Sequence, residues 1–199
     1  MDVAEAVAAA LESHPAVRRV ALVGSRAEGR AHALSDWDFA VETDDFESVE
    51  SALPTLVAPL EPIATQWDPY SDQECYMLML RGPVKVDLLF PDRPREWSGA
   101  WSVTPETLEA VDRHFWDWIL WLEQKRAGGR DEVVAKSLRD MHRLLLEPMG
   151  ATAEPRSTDE ALDLYLVARS EREREFGVRV SRALEHEVLP ALPLAREGR

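Results

Sequence analysis

The sequence predicts an α+β chain in which a small mixed β-sheet flanked by helices is followed by an all-α helical bundle. Three observations predict this fold. Strand-length apolar runs and helical segments share the chain up to Phe90, prolines break the pattern between Pro91 and Pro105, and only helical periodicity follows. The 199 residues, 45% of them hydrophobic, can form one core and a helical appendage. We therefore expect one domain at residues 1–98 and a helical bundle domain at 99–199.

The first domain is predicted to begin with a helix and then to build the sheet. Helices are expected over residues 2–13 and 46–57, strands at Val17–Val23, Trp37–Val41, Cys75–Arg81 and Val84–Phe90, and an extended segment near residues 63–67. Gly82-Pro83 separates the last two strands and is a hairpin signal. These two strands should therefore be antiparallel within a mixed sheet.

About four helices are expected in the second domain. The first has Thr104 as its N-cap with Pro105 following, and it ends at Gly128-Gly129. The second covers residues 131–149, the third begins at a Ser-x-x-Glu capping box at Ser157, and the fourth covers about 177–188. Helices of this number and length are typical of a bundle. The charged run at residues 171–175 is expected to be a solvated segment of helix.

The charge composition limits the choice of partners. The chain has 37 acidic and 23 basic residues, so its formal net charge is -14. A field of this sign repels polyanions and attracts cations. We expect no extended nucleic acid as a partner, and we expect a cationic small molecule or divalent cations to be attracted to any acidic cleft.

Cysteine usage and the absence of targeting signals indicate a cytoplasmic location. The single cysteine, Cys75, lies in an apolar run and reads as a small buried hydrophobe. The first dozen residues lack the basic start of a secretory signal, and no apolar run is long enough to cross a bilayer. No membrane association is therefore expected.

Three aspartates on two predicted strands indicate a metal site. Asp36 and Asp38 are two residues apart, so they project from one face while the apolar residues between and after them point to the other. Asp87 lies in a strand that is apolar except for Lys85. Carboxylates that converge repel one another unless a cation lies between them. Oxygen-only ligands suit Mg²⁺, which usually keeps part of its coordination for water and phosphate.

A phosphate site is predicted where the first strand ends in glycine. The backbone amides that follow Gly24 and the Ser25 hydroxyl can hold phosphate oxygens, and Arg26 or Arg30 can add positive charge. The segment is not a Walker A loop, because Arg30 and Ala31 stand where that motif requires Lys and Ser or Thr. It also lacks the Gly-x-Gly of a dinucleotide fold.

The order and spacing of these motifs resemble a known family. Val23-Gly24-Ser25, ten intervening residues and then Asp36-Trp37-Asp38-Phe39 look like the signature of the DNA polymerase beta-type nucleotidyltransferase superfamily, with Asp87 at its third acidic position. The resemblance covers residues 17–90. The run from Gly24 to Gly29 looks most like the minimal and the aminoglycoside nucleotidyltransferases.

This resemblance implies an activity and its cofactors. In the family, residues equivalent to Asp36, Asp38 and Asp87 hold two Mg²⁺ ions and are catalytic, and a nucleoside monophosphate moves from ATP or another NTP to an acceptor hydroxyl as pyrophosphate leaves. The acceptor expected here is a small hydroxylated molecule of the aminoglycoside kind, which would make the protein an antibiotic-resistance enzyme. Two alternatives stay open. One is a protein-adenylylating antitoxin, and the other is a nucleotide-binding module without turnover.

The helical half supplies further candidates. Lys136, Arg139 and Arg143 form a basic stripe that can meet the β- and γ-phosphates, or they can be a solvated face paired with Glu132 and Asp140. The candidates for a general base or for ammonium binding are Asp112, Asp117 and Glu123. The aromatic-rich first helix of the bundle is where a homodimer interface is expected.

Overall fold

The computed structural model describes residues 2–32 and 34–192. It divides into two compact units, with the division between Ser98 and Gly99. The predicted second domain extends to residue 199, so its last seven residues lie outside the described part. No helix among the described residues has the length and apolarity needed to cross a membrane.

The first unit is a five-stranded mixed sheet with helices, as predicted. Its helices are α1 (Val3–Glu12), the single turn α2 (Gly24–Ala27) and α3 (Phe46–Val57), followed by a 3₁₀ turn at Ala58–Leu60. Its strands are β1 (Val17–Val23), β2 (Trp37–Thr43), β3 (Ala64–Trp67), β4 (Gln73–Leu80) and β5 (Val84–Pro94). The strand order is β1-β2-β5-β4-β3. The β2–β5 pair is parallel, and the other three pairs are antiparallel.

One face of this sheet packs on α1 and α3 to form the core of the unit. Phe39, Leu78 and Leu88 come from the central strands, and Leu11 and Leu53 come from the two helices. Side chains alternate between the two faces along each strand, so the residues between these apolar positions project to the other side of the sheet. That second side carries Asp38 and Asp87, and we call it the acidic face.

The regular secondary structure of the second unit is helical over its described residues. It contains α4 (Leu108–Ala127), α5 (Asp131–Met141), the π turn His142–Leu146, α6 (Glu147–Met149), α7 (Thr158–Phe176), α8 (Ala183–Val188) and a 3₁₀ turn at Leu189–Ala191. The helix predicted over residues 131–149 is therefore helical over its whole length, with a π turn inside it. Phe115 of α4 and Tyr165 of α7 stack with their ring centroids 3.6 Å apart.

Two predicted helix starts are wrong. The regular helix α4 begins at Leu108, although Thr104 acts as a cap one turn earlier, where its hydroxyl accepts a hydrogen bond from Thr107 N at 3.3 Å. Residues 177–182 do not belong to α8. Gly177 has a left-handed backbone conformation that ends α7, and α8 begins only at Ala183.

The capping box at the start of α7 forms in part. The Ser157 hydroxyl accepts a hydrogen bond from Glu160 N at 3.2 Å, as the motif predicts. The Glu160 carboxylate accepts from Arg156 N at 2.8 Å, one residue earlier than in the reciprocal pattern. The motif therefore located the helix start correctly, with Ser157 as the N-cap.

The charged run at residues 171–175 is not simply solvated. Arg172 Nε donates to the carbonyl of Met149 at 2.9 Å, and Glu173 accepts from Arg182 at 2.7 Å and from Val180 N at 2.9 Å. These two side chains join the end of α7 to other segments of the helical unit.

Candidate active site

The three predicted aspartates converge on the acidic face. Asp36 immediately precedes β2, Asp38 is the second residue of β2, and Asp38 is the register partner of Asp87 on the parallel strand β5. Each residue offers a carboxylate oxygen, and these oxygens all lie within 4.8 Å of one another. Parallel pairing brings Asp38 and Asp87 together, and Asp36 reaches the same cluster from the residue just before the strand.

The cluster is buried and strongly negative. Asp36 and Asp87 are 6% and 8% exposed, and Asp38 is half-buried. Burial raises the pKa of Asp87, and the charges of Asp36 and Asp68 act in the same direction. An ion pair with Lys85, whose side chain is 6% exposed, opposes this rise in the pKa of Asp87. Lys85 is therefore the counter-charge that the protein itself provides.

The donor set fits a hard divalent cation. One oxygen of Asp87 accepts from Lys85, while its other oxygen, Oδ1, is buried and has no hydrogen-bond partner within residues 2–32 and 34–192. A buried carboxylate oxygen without a donor is costly unless something binds it. Carboxylate oxygens at this spacing are ligands that suit Mg²⁺ or Mn²⁺.

Gly24 packs directly against one of the three carboxylates. Its φ is +69°, and a Cβ built at this position would lie 2.3 Å from Asp38 Oδ2. Only glycine fits without displacing Asp38, because any side chain would overlap that oxygen. Ser25 follows in the single turn of α2, so the segment predicted to bind phosphate adjoins the aspartates.

Arg26 has a structural contact that the sequence did not indicate. Its Nε donates to the carbonyl of Asp36 at 2.9 Å, and its Nη2 donates to the carbonyl of Ser35 at 2.6 Å. The guanidinium also lies over the Trp37 ring, 4.1 Å from the centroid. Arg26 thus fixes the backbone that carries Asp36, and its predicted contact with phosphate stays a prediction.

The predicted basic stripe belongs to the helical unit and is exposed. Lys136 Nζ lies 2.9 Å from Asp140 Oδ2, and Arg143 Nη2 lies 3.2 Å from Asp140 Oδ1. Arg139 is also exposed on α5. Ion pairs with Asp140 are what is expected if the stripe is a solvated helix face. They do not test the phosphate alternative, which stays a prediction.

Two of the three candidate general bases are held inside the helical unit. Asp112, 2% exposed, accepts hydrogen bonds from the Tyr165 hydroxyl and from Arg169 Nη1, the latter at 3.2 Å. Glu123, 1% exposed, accepts from the Thr158 hydroxyl and from Arg126. Both carboxylates therefore act as interior anchors between helices. Asp117 is half-buried and is the remaining candidate of the three.

Most aromatic side chains of α4 are core residues. Trp116 is fully buried, and Trp118 is 8% exposed and donates to the Ser137 hydroxyl at 2.7 Å. These side chains cannot form the homodimer interface that was expected on this helix. The homodimer itself stays a prediction.

The sequence interpretation assigned no role to three polar residues of the acidic face. Lys85 is two residues before Asp87 on β5 and therefore shares its face, a spacing that could have indicated the ion pair. Gln66 is on β3, and Asp68 follows this strand. Burial raises the pKa of Asp68, and the positive charges of Lys85 and Arg95 oppose this rise.

Comparison with known protein families identifies the first unit. Residues 4–97 match the family model described as a nucleotidyltransferase domain. This range holds the sheet, the glycine turn and all three aspartates. The first unit therefore matches a nucleotidyltransferase domain, as its motifs predicted, and this match supports a nucleotidyltransferase activity for the chain.

Similar solved structures are distant. One is an aminoglycoside 6-adenyltransferase from Bacillus subtilis, with 12% identity, a TM-score of 0.35 and coverage of 92% of this chain and 94% of that one. Another is the polymerase core of TRAMP, an RNA surveillance complex, with 11% identity, a TM-score of 0.39 and coverage of 83% of this chain and 55% of that one. No curated protein matches the chain significantly.

Proposed function

We propose that the protein is a Mg²⁺-dependent adenylyltransferase that moves AMP from ATP to a hydroxyl of a small cationic acceptor and releases pyrophosphate. The observation that carries this proposal is the convergence of Asp36, Asp38 and Asp87 with the buried Oδ1 of Asp87 left without a donor. Each residue would act as a metal ligand. The nucleotidyltransferase family match supports the reaction class.

The proposed reaction is an in-line displacement at the α-phosphorus of ATP. The acceptor oxygen forms a bond to this phosphorus, the bond to the bridging oxygen of the β-phosphate breaks, and the hydroxyl proton passes to water or a carboxylate. Mg²⁺ held by Asp36, Asp38 and Asp87 would lower the pKa of the acceptor hydroxyl and stabilise the leaving oxygen, and the family resemblance implies two ions. The chain holds the ligands in place through the glycine turn and the Arg26 contacts.

The phosphate groups are assigned to the start of α2. Backbone amides after Gly24 and the Ser25 hydroxyl would hold phosphate oxygens there, next to Asp38. The same proposal includes phosphate contacts by Arg26 and by the basic stripe Lys136, Arg139 and Arg143.

The net charge of the chain and the family resemblance support a choice of acceptor and the assignment of catalysis to the first domain. A formal net charge of -14 favours a cationic molecule over a polyanion. An aminoglycoside combines several ammonium groups with several hydroxyls and meets both requirements. We assign catalysis to the domain at residues 1–98 and treat residues 99–199 as a separate helical domain.

The test is a direct assay of transfer. Purified full-length protein with Mg²⁺ and ATP should release pyrophosphate in the presence of at least one member of a panel of aminoglycosides. Asp36→Asn and Asp38→Asn should abolish this release while the proteins stay folded. If the wild type releases none, the aminoglycoside assignment is wrong. Mass spectrometry of co-expressed neighbouring proteins then decides whether an AMP group is added to a protein side chain instead.

A further inference from the structure

A single row of side chains crosses the sheet on its acidic face. Gln66 on β3 is the register partner of Met77 on β4, Met77 is the partner of Asp87 on β5, and Asp87 is the partner of Asp38 on β2. Directly paired residues project from the same side of a sheet. Gln66 therefore shares the face of the aspartates and lies two strands from Asp87, about 10 Å away.

The side-chain amide of Gln66 makes no hydrogen bond within the described part of the chain. Its Nε2 and Oε1 are both buried, and neither has a hydrogen-bond partner among the described residues. Its neighbour Thr65 faces the other side of the strand and is satisfied, because its hydroxyl accepts from the Tyr76 hydroxyl at 2.9 Å. A buried, unpaired amide destabilises a folded protein, so its presence needs a reason beyond folding.

The position of Gln66 assigns it to one substrate of the proposed reaction. In an in-line displacement the attacking oxygen and the leaving pyrophosphate lie on opposite sides of the α-phosphorus. The segment after Gly24, to which the proposed function assigns the phosphates, follows β1 at one edge of the sheet, and β3 forms the opposite edge. The acceptor therefore approaches from the side of β4 and β3, where Gln66 lies.

We propose that Gln66 is part of an acceptor subsite and hydrogen-bonds a hydroxyl or amino group of the acceptor when its reactive hydroxyl lies over Asp87. An amide both donates and accepts, which matches a hydroxyl and fits a phosphate only in part. Strand pairing continues to Asp68, whose backbone N–H donates to Cys75 O at 2.9 Å. Alternation therefore places Asp68 on the same face, where its carboxylate favours a substrate that also bears ammonium groups.

This inference rests on the proposed function, and its test separates the two. Gln66→Leu replaces the amide with an apolar side chain of similar size, and Thr65→Val is the matched control on the next residue. The measurements on full-length protein are the melting temperature, calorimetric binding of kanamycin, and KM for ATP and for kanamycin.

The expected result for Gln66→Leu combines a gain in stability with a loss in binding. Its melting temperature should rise by about 3 °C because an unpaired buried amide is removed. Kanamycin affinity should fall about tenfold because a hydrogen bond is lost, with KM for ATP unchanged. Thr65→Val should lower the melting temperature and leave kanamycin affinity unchanged.

Several results would overturn the subsite. A lower melting temperature for Gln66→Leu would mean that Gln66 has a structural partner. Unchanged kanamycin binding, a rise in KM for ATP alone, or a wild type that does not bind kanamycin would each reject the assignment to the acceptor. Absence of pyrophosphate release with intact, Gln66-dependent kanamycin binding would instead reject the proposed reaction.

Discussion

Gly24→Ala should disable the site by moving one carboxylate. The new Cβ would lie 2.3 Å from Asp38 Oδ2, and ordinary contact begins at 3.4 Å. The Asp38 carboxylate must therefore move by about 1 Å, a displacement that can reduce a reaction rate about 100-fold when it misplaces a catalytic group. Alanine at a φ of +69° also strains the backbone, at a cost of about 1–2 kcal/mol in the free energy of unfolding.

The assay combines pyrophosphate release with urea unfolding, and Gly177→Ala is the matched control. Gly177 has a φ of +66° at the end of α7, and nothing lies within 4 Å of a Cβ built there. This variant should lose the same 1–2 kcal/mol of stability, roughly, and keep the wild-type rate. If Gly24→Ala also keeps the wild-type rate, the close contact with Asp38 has no role in catalysis and the reasoning is refuted.

Three further predictions concern other residues. Arg26→Lys should lower kcat and Mn²⁺ affinity by about tenfold, because lysine cannot donate to the carbonyls of Ser35 and Asp36 with the fixed geometry of the guanidinium. A rise in KM for ATP alone would show that Arg26 contacts phosphate instead. Burial raises the pKa of Asp112 above its ordinary 3.8 despite the hydrogen bonds that it accepts, so this group contributes stability at low pH that is lost as the pH rises through the raised pKa. The stability advantage of the wild type over Asp112→Asn should therefore shrink in unfolding titrations as the pH rises above the ordinary pKa of 3.8, and an advantage that widens with rising pH would contradict this sign. Lys136→Ala should change stability by less than about 0.5 kcal/mol, because its ion pair with Asp140 is exposed, and should raise KM for ATP. An unchanged KM would show that Lys136 does not contact the nucleotide.

The sequence predicted the sheet and the aspartate cluster well, because both depend on local pattern. β1 was predicted with its observed bounds, and the hairpin of β4 and β5 is antiparallel as expected. The two-residue spacing of Asp36 and Asp38 is enough to predict that the two carboxylates share a face. Their approach to Asp87 follows from the parallel pairing of β2 with β5.

The positions whose contacts the sequence did not indicate depend on interactions between distant segments. Gln66 is unremarkable in a short strand until the register places it in the row of Asp87. Asp112 resembled a general base by residue type, but Tyr165 and Arg169, more than 50 residues later, make it an interior anchor. Glu173 was expected to be a solvated charge, because helical periodicity does not show that Val180 N donates a hydrogen bond to its carboxylate.

Titration of the full-length protein with Mn²⁺, followed by electron paramagnetic resonance, tests the central claim most directly. Mn²⁺ accepts the same carboxylate ligands as Mg²⁺ and can be detected without turnover. The wild type should show saturable binding, and Asp38→Asn should lose it while it keeps the wild-type circular dichroism spectrum. Equal Mn²⁺ binding by the two proteins would contradict the assignment of Asp36, Asp38 and Asp87 as the metal site.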